Sequence, residues 1–179
     1  MTTTADDDGT TGGNITVVGH ADLTPDTLLL VESALRTRLA RRPAPAVTVV
    51  RAGAGTPLAS GRAARASGCP LAVVIPRHLE GLAMPPRRHR TASGELLTLA
   101  DEVRLLAYDP VDRDSCVGAD ERLVASGDLL LAVWDGSPSS GRDATAHLVT
   151  YARTRGVPVE VVWPPGAGRE VPPAVRAEG

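Results

Sequence analysis

The chain alternates short runs of β-branched and aliphatic residues with stretches whose apolar residues recur at helical spacing. The apolar runs predict six strands, at residues 15–19, 47–50, 71–75, 103–107, 129–134 and 158–163. Two of the intervening helices begin with the same signal, a Thr followed by Pro at the first helical position, at Thr24-Pro25 and Thr56-Pro57. Further helices are predicted near residues 93–100, 115–125 and 142–155.

Six strand–helix steps at this spacing predict an α/β fold. We expect a three-layer, Rossmann-like, doubly wound and mostly parallel sheet of about six strands, with helices on both faces. The run 129–134 is wholly apolar, as a strand buried on both faces should be. In such sheets ligands bind outside the carboxyl ends of the strands, near the point where the strand order reverses.

The flanks differ in composition from this core. Residues 1–13 are polar and acidic and are predicted to be a disordered tail, and the Pro/Gly-rich residues 166–179 a flexible one. One ligand-binding domain is expected between them, over residues 14–165. Within it, residues 77–92 are predicted to be a basic, Pro-containing loop.

Composition excludes several classes of function. All 19 basic residues are Arg, so Arg stands where other proteins use Lys and a single Arg says little about function. The net charge of −2 disfavours a general nucleic-acid binder. Cys69 and Cys116 are isolated, so we expect no metal site. No apolar run approaches the roughly 20 residues of a membrane helix, so no membrane contact and a cytoplasmic location are expected.

Two Gly-rich loops lead from a predicted strand into a helix. Such junctions offer unpaired backbone N–H groups and the positive end of the helix dipole, which bind phosphate. A tight turn alone explains the first loop, which contains Gly53, Gly55 and Thr56. The second loop, residues 135–145, is longer and carries several hydroxyls and Arg142 beside the helix start. The sequence therefore predicts the ligand site at this second loop.

Other polar residues at strand ends have two interpretations each. His20 is a ligand contact or acid/base group, or a loop histidine bonded to backbone. Asp22 binds a ribose hydroxyl or belongs to a turn. The Arg and His residues of loop 77–92 form a phosphate clamp or a solvated surface, and Arg90 is the contact we select.

Asp109 and Asp135 follow consecutive predicted strands, taken here as neighbours in the sheet. Two carboxylates in one cleft suit nucleophilic and acid/base roles in glycosyl chemistry. Asp before Pro or Gly is also ordinary turn chemistry. Both interpretations stay open.

Three segments carry a pattern found in a known family: ITVVGHADLT, GAGTPLASGRAA and LLLAVWDGSPSSGRDATAHLVTYARTRGVPVEVVWP. They resemble the SLOG superfamily, the Rossmann-like group that contains the LOG phosphoribohydrolases and DNA-processing protein A, over roughly residues 14–165. The resemblance implies a nucleotide or nucleotide-derived ligand. It also implies that Gly19, Gly136, Gly141 and Thr145 line the site.

The chain departs from that family at two points. The phosphate-binding Gly-Gly-Thr of the family is Asp143-Ala144-Thr145 here, and Asp143 is both a good helix cap and a repulsive charge for phosphate. The catalytic Glu of the LOG enzymes is replaced by Leu148. The phosphoribohydrolase activity is therefore not carried over.

These observations predict a protein that binds a nucleotide-type phosphorylated ligand, with or without turnover. It is expected to form a homodimer, to need no cofactor and not to bind nucleic acid directly. One alternative is an enzyme that cleaves or transfers an N-glycosidic bond with Asp109 or Asp135. A second is a homodimeric structural protein that has lost its ligand. The predicted ligand-binding residues are Gly19, His20, Asp22, Gly53, Gly55, Thr56, Arg90, Gly136, Ser137, Gly141, Arg142 and Thr145.

Overall fold

The computed structural model describes residues 13–78, 81–82 and 85–171. Seven strands are present: β1 Asn14–Gly19, β2 Val47–Arg51, β3 Leu71–His78, β4 Gly81–Leu82, β5 Glu102–Ala107, β6 Leu129–Val133 and β7 Val159–Val162. Five α-helices connect them: α1 Pro25–Ala40, α2 Thr56–Ser67, α3 Arg90–Leu99, α4 Arg113–Ala125 and α5 Thr145–Thr154.

Six strands form one parallel sheet in the order β5-β3-β2-β1-β6-β7. The two-residue β4 pairs antiparallel with the end of β3. Alternate residues of the strands face opposite layers. Ile15 and Val17 pack in the core beneath α1, α2 and α3, and Val18 packs with residues of α4 and α5. The predicted three-layer, doubly wound fold is confirmed.

The order of the strands reverses between β1 and β6. From β1 the chain passes through α1 to β2 on one side, and from β6 it passes through α5 to β7 on the other. The loops that follow β1 and β6 therefore diverge, which creates a crevice at the carboxyl edge of the sheet.

Two predicted helix starts are corrected. Helix α3 begins at Arg90 rather than near Ser93, because a 3-10 turn over Arg87–His89 leads directly into it. Helix α5 begins at Thr145 rather than at Arg142, because the Asp143 carboxylate accepts a hydrogen bond from the Thr145 N–H (2.8 Å). This side-chain turn precedes the N-cap residue, Ala144, and competes with helical structure before Thr145.

The basic segment 77–92 contains more regular structure than a loop. It includes the end of β3, β4, the 3-10 turn and the start of α3. Of the predicted tails, residues 1–12 and 172–179 lie outside the described residues, as do residues 79–80 and 83–84 of the basic segment. Residues 164–171 are described and lie against the β1–α1 loop.

Candidate functional site

His20 is the first residue after β1 at the switch in strand order, and its side chain is fully buried. Its Nδ1 lies 2.6 Å from Oδ2 of Asp143, and its Nε2 lies 2.9 Å from Oδ1 of Asp135. The Asp135 N–H also donates to Nε2 (3.2 Å), so the ring contacts both the carboxylate and the backbone of Asp135. The ring edge also meets Trp163, with the ring centroids 5.7 Å apart. The structure thus joins the ends of β1 and β6 through one buried histidine.

The two carboxylates beside His20 are held in their charged form. Burial alone would raise the pKa of Asp143, but hydrogen bonds with His20 and the Thr145 N–H outweigh it and lower the pKa to about 2. For Asp135, burial is likewise outweighed by hydrogen bonds from Ser137 and by His20, and the pKa is again about 2. Both groups are therefore anions at neutral pH.

Arg169 brings the matching positive charge from the end of the described chain. Its Nε and NH2 donate to the two carboxylate oxygens of Asp22, at 2.9 and 3.0 Å. NH1 donates to Ser137 Oγ (3.2 Å), and NH1 and NH2 lie 3.7 and 3.6 Å from Asp135 and Asp143. We call Asp22, Asp135 and Asp143 the carboxylate cluster; one guanidinium contacts all three of its members.

The carboxylate cluster has ligands that suit a cation. Single donor atoms of His20, Asp22 and Asp143 lie within 4.8 Å of one another, a spacing that a metal ion could bridge. The Arg169 guanidinium already lies on these oxygens, and a metal ion there would have to displace it. The arrangement is therefore a charge-compensated polar site rather than an open cation site.

The predicted phosphate site at the start of α5 is occupied by the protein's own side chains. Asp143 accepts from the Thr145 N–H, and Ser139 Oγ accepts from the His147 N–H (2.9 Å). A carboxylate at this helix end also repels an approaching phosphate. Arg142 is exposed, and its backbone N–H donates to Ser140 Oγ. Two N–H groups at the start of α5 thus already have side-chain acceptors.

The other residues of this loop make local contacts. The Ser137 N–H donates to the Asp135 carboxylate (2.9 Å), and the Trp134 Nε1 donates to the Ser137 carbonyl (2.8 Å). Gly136 sits in the turn between them with a positive φ of 86°, a conformation that favours glycine. Gly141 is exposed and has open space beside it. The turn thus holds the Asp135 carboxylate against His20.

The start of α2 is the second predicted phosphate site, and it has no side-chain cap. Thr56 is buried, and both its N–H (3.2 Å) and its hydroxyl (2.8 Å) donate to the His20 carbonyl. Among the described residues, no acceptor meets the backbone N–H groups of Gly53, Ala54, Gly55 or Leu58. Gly55 is buried, whereas Gly53, Ala54 and Leu58 are partly exposed.

Close packing joins this helix start to the β1 loop. A Cβ on Gly55, whose φ is +71°, would lie 2.4 Å from the Ala21 carbonyl oxygen. A Cβ on Gly19 would lie 2.5 Å from the Val133 carbonyl oxygen and 2.7 Å from Thr56 Oγ1. Only glycine permits these approaches. Both glycines therefore hold the strand ends and the start of α2 together.

The prediction that Asp109 and Asp135 lie on neighbouring strands is wrong. Strands β3, β2 and β1 separate β5 from β6, so the two strand axes are about 19 Å apart at ordinary spacing. Asp109 accepts from the Val111 N–H in a local turn (3.0 Å). The error arose because the order of strands along the chain is not their order in the sheet.

Arg90 lies away from the carboxylate cluster. Its Nε donates to the Pro85 carbonyl (3.3 Å), and the side chain is exposed at the start of α3. Helices α2 and α3 both run from the carboxyl edge towards the amino edge, and Arg62 of α2 pairs with Glu95 of α3 (2.6 Å). The basic residues 87–90 therefore lie on the same side of the sheet as the uncapped start of α2.

Two polar residues of this edge escaped the sequence analysis. Arg169 belongs to a tail whose Pro/Gly composition gives no sign of a long-range contact. Arg51 ends the apolar strand β2, and a charge at that position was the available signal. Its guanidinium binds Asp120 through two hydrogen bonds (2.6 and 2.9 Å) and lies 5.7 Å from the Tyr108 ring. Burial raises the pKa of Tyr108 to about 12.

Two surface cavities in the described part of the chain lie at the amino edge of the sheet. One, of about 430 Å³, is lined by the last turn of α1 and Glu160 of β7. The other, of about 270 Å³, lies between the end of α2 and Asp101. Neither opens at the switch point, where Arg169 covers the carboxylate cluster.

A buried polar centre lies at the switch point of the parallel sheet, which places the chain in the Rossmann-like class of folds, and similar folds are known. DNA processing protein A from Streptococcus pneumoniae superposes with a TM-score of 0.62 at 17% identity, over 86% of this chain and 51% of that one. The chain thus spans about half the length of that protein. DNA processing protein A from Helicobacter pylori, whose structure is described for its single-stranded DNA binding mode, superposes with a TM-score of 0.57 at 14% identity. The match covers 87% of this chain and 68% of that one.

The Moco carrier protein of Chlamydomonas reinhardtii gives a TM-score of 0.53 at 17% identity, over 84% of this chain and 76% of that one. No protein-family model matches the sequence, and no curated protein matches it significantly. The predicted Rossmann-like fold is confirmed by these structures. No helix in the described residues has the length and apolarity needed to cross a membrane.

Proposed function

We propose that this protein binds a nucleotide-type ligand at the carboxyl edge of the sheet, with the phosphate on the first turn of α2. The observation that carries the proposal is the row of unpartnered N–H groups at Gly53, Ala54, Gly55 and Leu58. A helix start with free amides and no capping side chain favours an anion. At α5 the side chains of Asp143 and Ser139 accept from two of the first N–H groups, so we place the phosphate at α2 instead.

The carboxylate cluster supplies the second half of the proposed site. Gly55 packs directly on Ala21, and Thr56 donates twice to His20, so the start of α2 adjoins the loop that carries Asp22. Carboxylates at the switch point of such folds accept hydrogen bonds from ribose hydroxyls. A nucleotide has both groups, an anionic phosphate and a hydroxyl-bearing sugar. This match in chemistry favours a nucleotide over inorganic phosphate.

Cations for the phosphate are available on the same side of the sheet. Arg51 ends β2, two residues before Gly53, but its charge is matched by Asp120. The exposed Arg87, Arg88 and Arg90 lie at the start of α3, where they can approach a bound phosphate.

We propose binding without turnover rather than the N-glycosidase alternative. The two candidate carboxylates, Asp109 and Asp135, lie on strands too far apart to act on one bond. Leu148, at the position of the LOG glutamate, packs in the core with Val149 and Ala152. Incubating the protein with nucleoside monophosphates and measuring released base by chromatography tests this; release at a rate that Asp135→Asn abolishes would favour the enzyme.

Calorimetry tests the binding proposal. The ligands are nucleoside mono- and diphosphates, dinucleotides, inorganic phosphate and a single-stranded oligonucleotide. The informative variant is Gly53→Asp, which adds a carboxylate beside the free amides. A Cβ at Gly53 meets only Pro57, at an ordinary 3.6 Å, so the fold should tolerate the change. We expect at least a tenfold loss of nucleotide affinity, about 1.4 kcal/mol or more.

Gly118→Asp is the matched control. It adds the same charge on α4, where a new Cβ meets nothing within 4 Å, and should leave affinity unchanged. Nucleotide binding that Gly53→Asp leaves intact would move the phosphate away from α2. No binding by any nucleotide, in a protein that light scattering shows to be a dimer, would favour the structural alternative. Tight binding of the oligonucleotide alone would contradict the expectation that the chain does not bind nucleic acid.

A further inference from the structure

Residues 164–171 cross the carboxyl edge and deliver Arg169 to the carboxylate cluster. We call this segment the strap. Its residue Arg169 forms an antiparallel bridge with Leu23. Backbone hydrogen bonds on either side join the Thr24 N–H to the Gly168 carbonyl (3.3 Å) and the Glu170 N–H to the Asp22 carbonyl (2.7 Å). The strap is thus laid along the loop that follows β1.

The strap is attached by polar contacts. In addition to the two backbone bonds, the Gly168 N–H donates to Thr27 Oγ1 (2.7 Å). In the described part of the chain, no strap residue belongs to the hydrophobic core clusters. Segments with few apolar contacts open locally at a free-energy cost far below that of global unfolding. The Arg169 ion pairs are therefore a large part of what keeps the strap closed.

The closed strap uses the groups that the proposed ligand needs. Arg169 takes both oxygens of Asp22 in a bidentate contact and lies within 3.7 Å of Asp135 and Asp143. A carboxylate bound in this way by guanidinium has its best acceptor directions filled. A ribose hydroxyl would compete with Arg169 for the same oxygens.

We propose that the strap is an autoinhibitory latch: Arg169 occupies the carboxylate cluster as an internal ligand, and the nucleotide gains the site when the strap opens. The inference rests on the proposed function and adds a means of regulating it. Opening and binding are linked, because the apparent dissociation constant equals the intrinsic one divided by the fraction of open protein. By reciprocity, bound nucleotide also favours the open strap.

The test measures strap opening and ligand affinity in the same two proteins, wild type and Arg169→Gln. Hydrogen exchange at Thr24, Gly168 and Glu170 reports opening without any ligand. Calorimetry with the best-bound nucleotide reports affinity. We expect exchange at these amides to accelerate about tenfold in Arg169→Gln, with β1 and β6 unchanged, and affinity to rise by a similar factor.

Arg36→Gln is the control, because it removes an equal charge from the exposed face of α1 and should change neither quantity. Strap amides that exchange only with global unfolding in both proteins would overturn the latch. So would an affinity that stays the same or falls in Arg169→Gln, since Arg169 would then not compete with the ligand. If neither protein binds a nucleotide, the proposed function and the gating fail together, and exchange still decides whether Arg169 holds the strap.

Discussion

His20 determines how the charges of the site are arranged at the scale of single residues. It is fully buried and lies within hydrogen-bonding distance of Asp135 and Asp143. The sequence left it between a ligand contact and a loop residue bonded to backbone. The Asp135 N–H does donate to its Nε2 (3.2 Å), but the two carboxylate contacts were not predicted. The two carboxylates come from a loop more than a hundred residues away along the chain, and no local pattern predicts such pairing.

Replacing His20 by Leu should destabilise the protein, because Asp143 would keep its charge in a largely buried place without its hydrogen bond to His20. We expect the free energy of unfolding at pH 7 to fall by about 3 kcal/mol, measured by urea denaturation. Asp143→Asn added to His20→Leu should recover part of the loss.

The matched control is His147→Leu. His147 also meets a carboxylate, Glu121, at 2.6 Å, but half of its side chain is exposed. That surface pair should contribute less than about 1 kcal/mol. Equal losses in the two variants would contradict a special role for burial at His20.

At the scale of elements, the two Gly-rich loops differ in how their helices begin. Asp143 and Ser139 accept from N–H groups of α5, while Gly55, the residue before α2, has no side chain that could do the same. The sequence contained the reason, since Asp143 was recognised as a cap, but the length of the loop, its hydroxyls and Arg142 favoured α5. The positions of the helix starts follow from residue chemistry. Which helix start keeps N–H groups without an acceptor depends on the contacts that the loop side chains make in the fold.

Gly55→Ala tests the close contact between the start of α2 and the loop that follows β1. The positive φ and the 2.4 Å approach to Ala21 leave no room for a methyl group, so α2 must shift from the β1 loop. We expect a loss of about 2 kcal/mol or more in the free energy of unfolding, by urea denaturation.

The comparison is Gly118→Ala, in the middle of α4 with open space around it. There the same change should stabilise the protein by about 0.5–1 kcal/mol. A Gly55→Ala protein as stable as wild type would show that the start of α2 is not held as described.

At the scale of the whole molecule, the strand and helix sequence was predictable, because periodicity and capping signals are local. The order of the strands was not, and this is why Asp109 and Asp135 were wrongly taken as neighbours. The strap was beyond local reasoning for the same reason: Arg169 and Asp22 are brought together only by the complete fold. The switch point, which the fold class does predict, is where the observed polar residues converge.

The most direct test of the account is a crystal structure with the best-bound nucleoside monophosphate. The account predicts phosphate density on the Gly53, Gly55 and Leu58 amides, with the sugar beside Asp22 and the Arg169 side chain displaced. Phosphate density at the start of α5, or at the amino edge of the sheet, would contradict it.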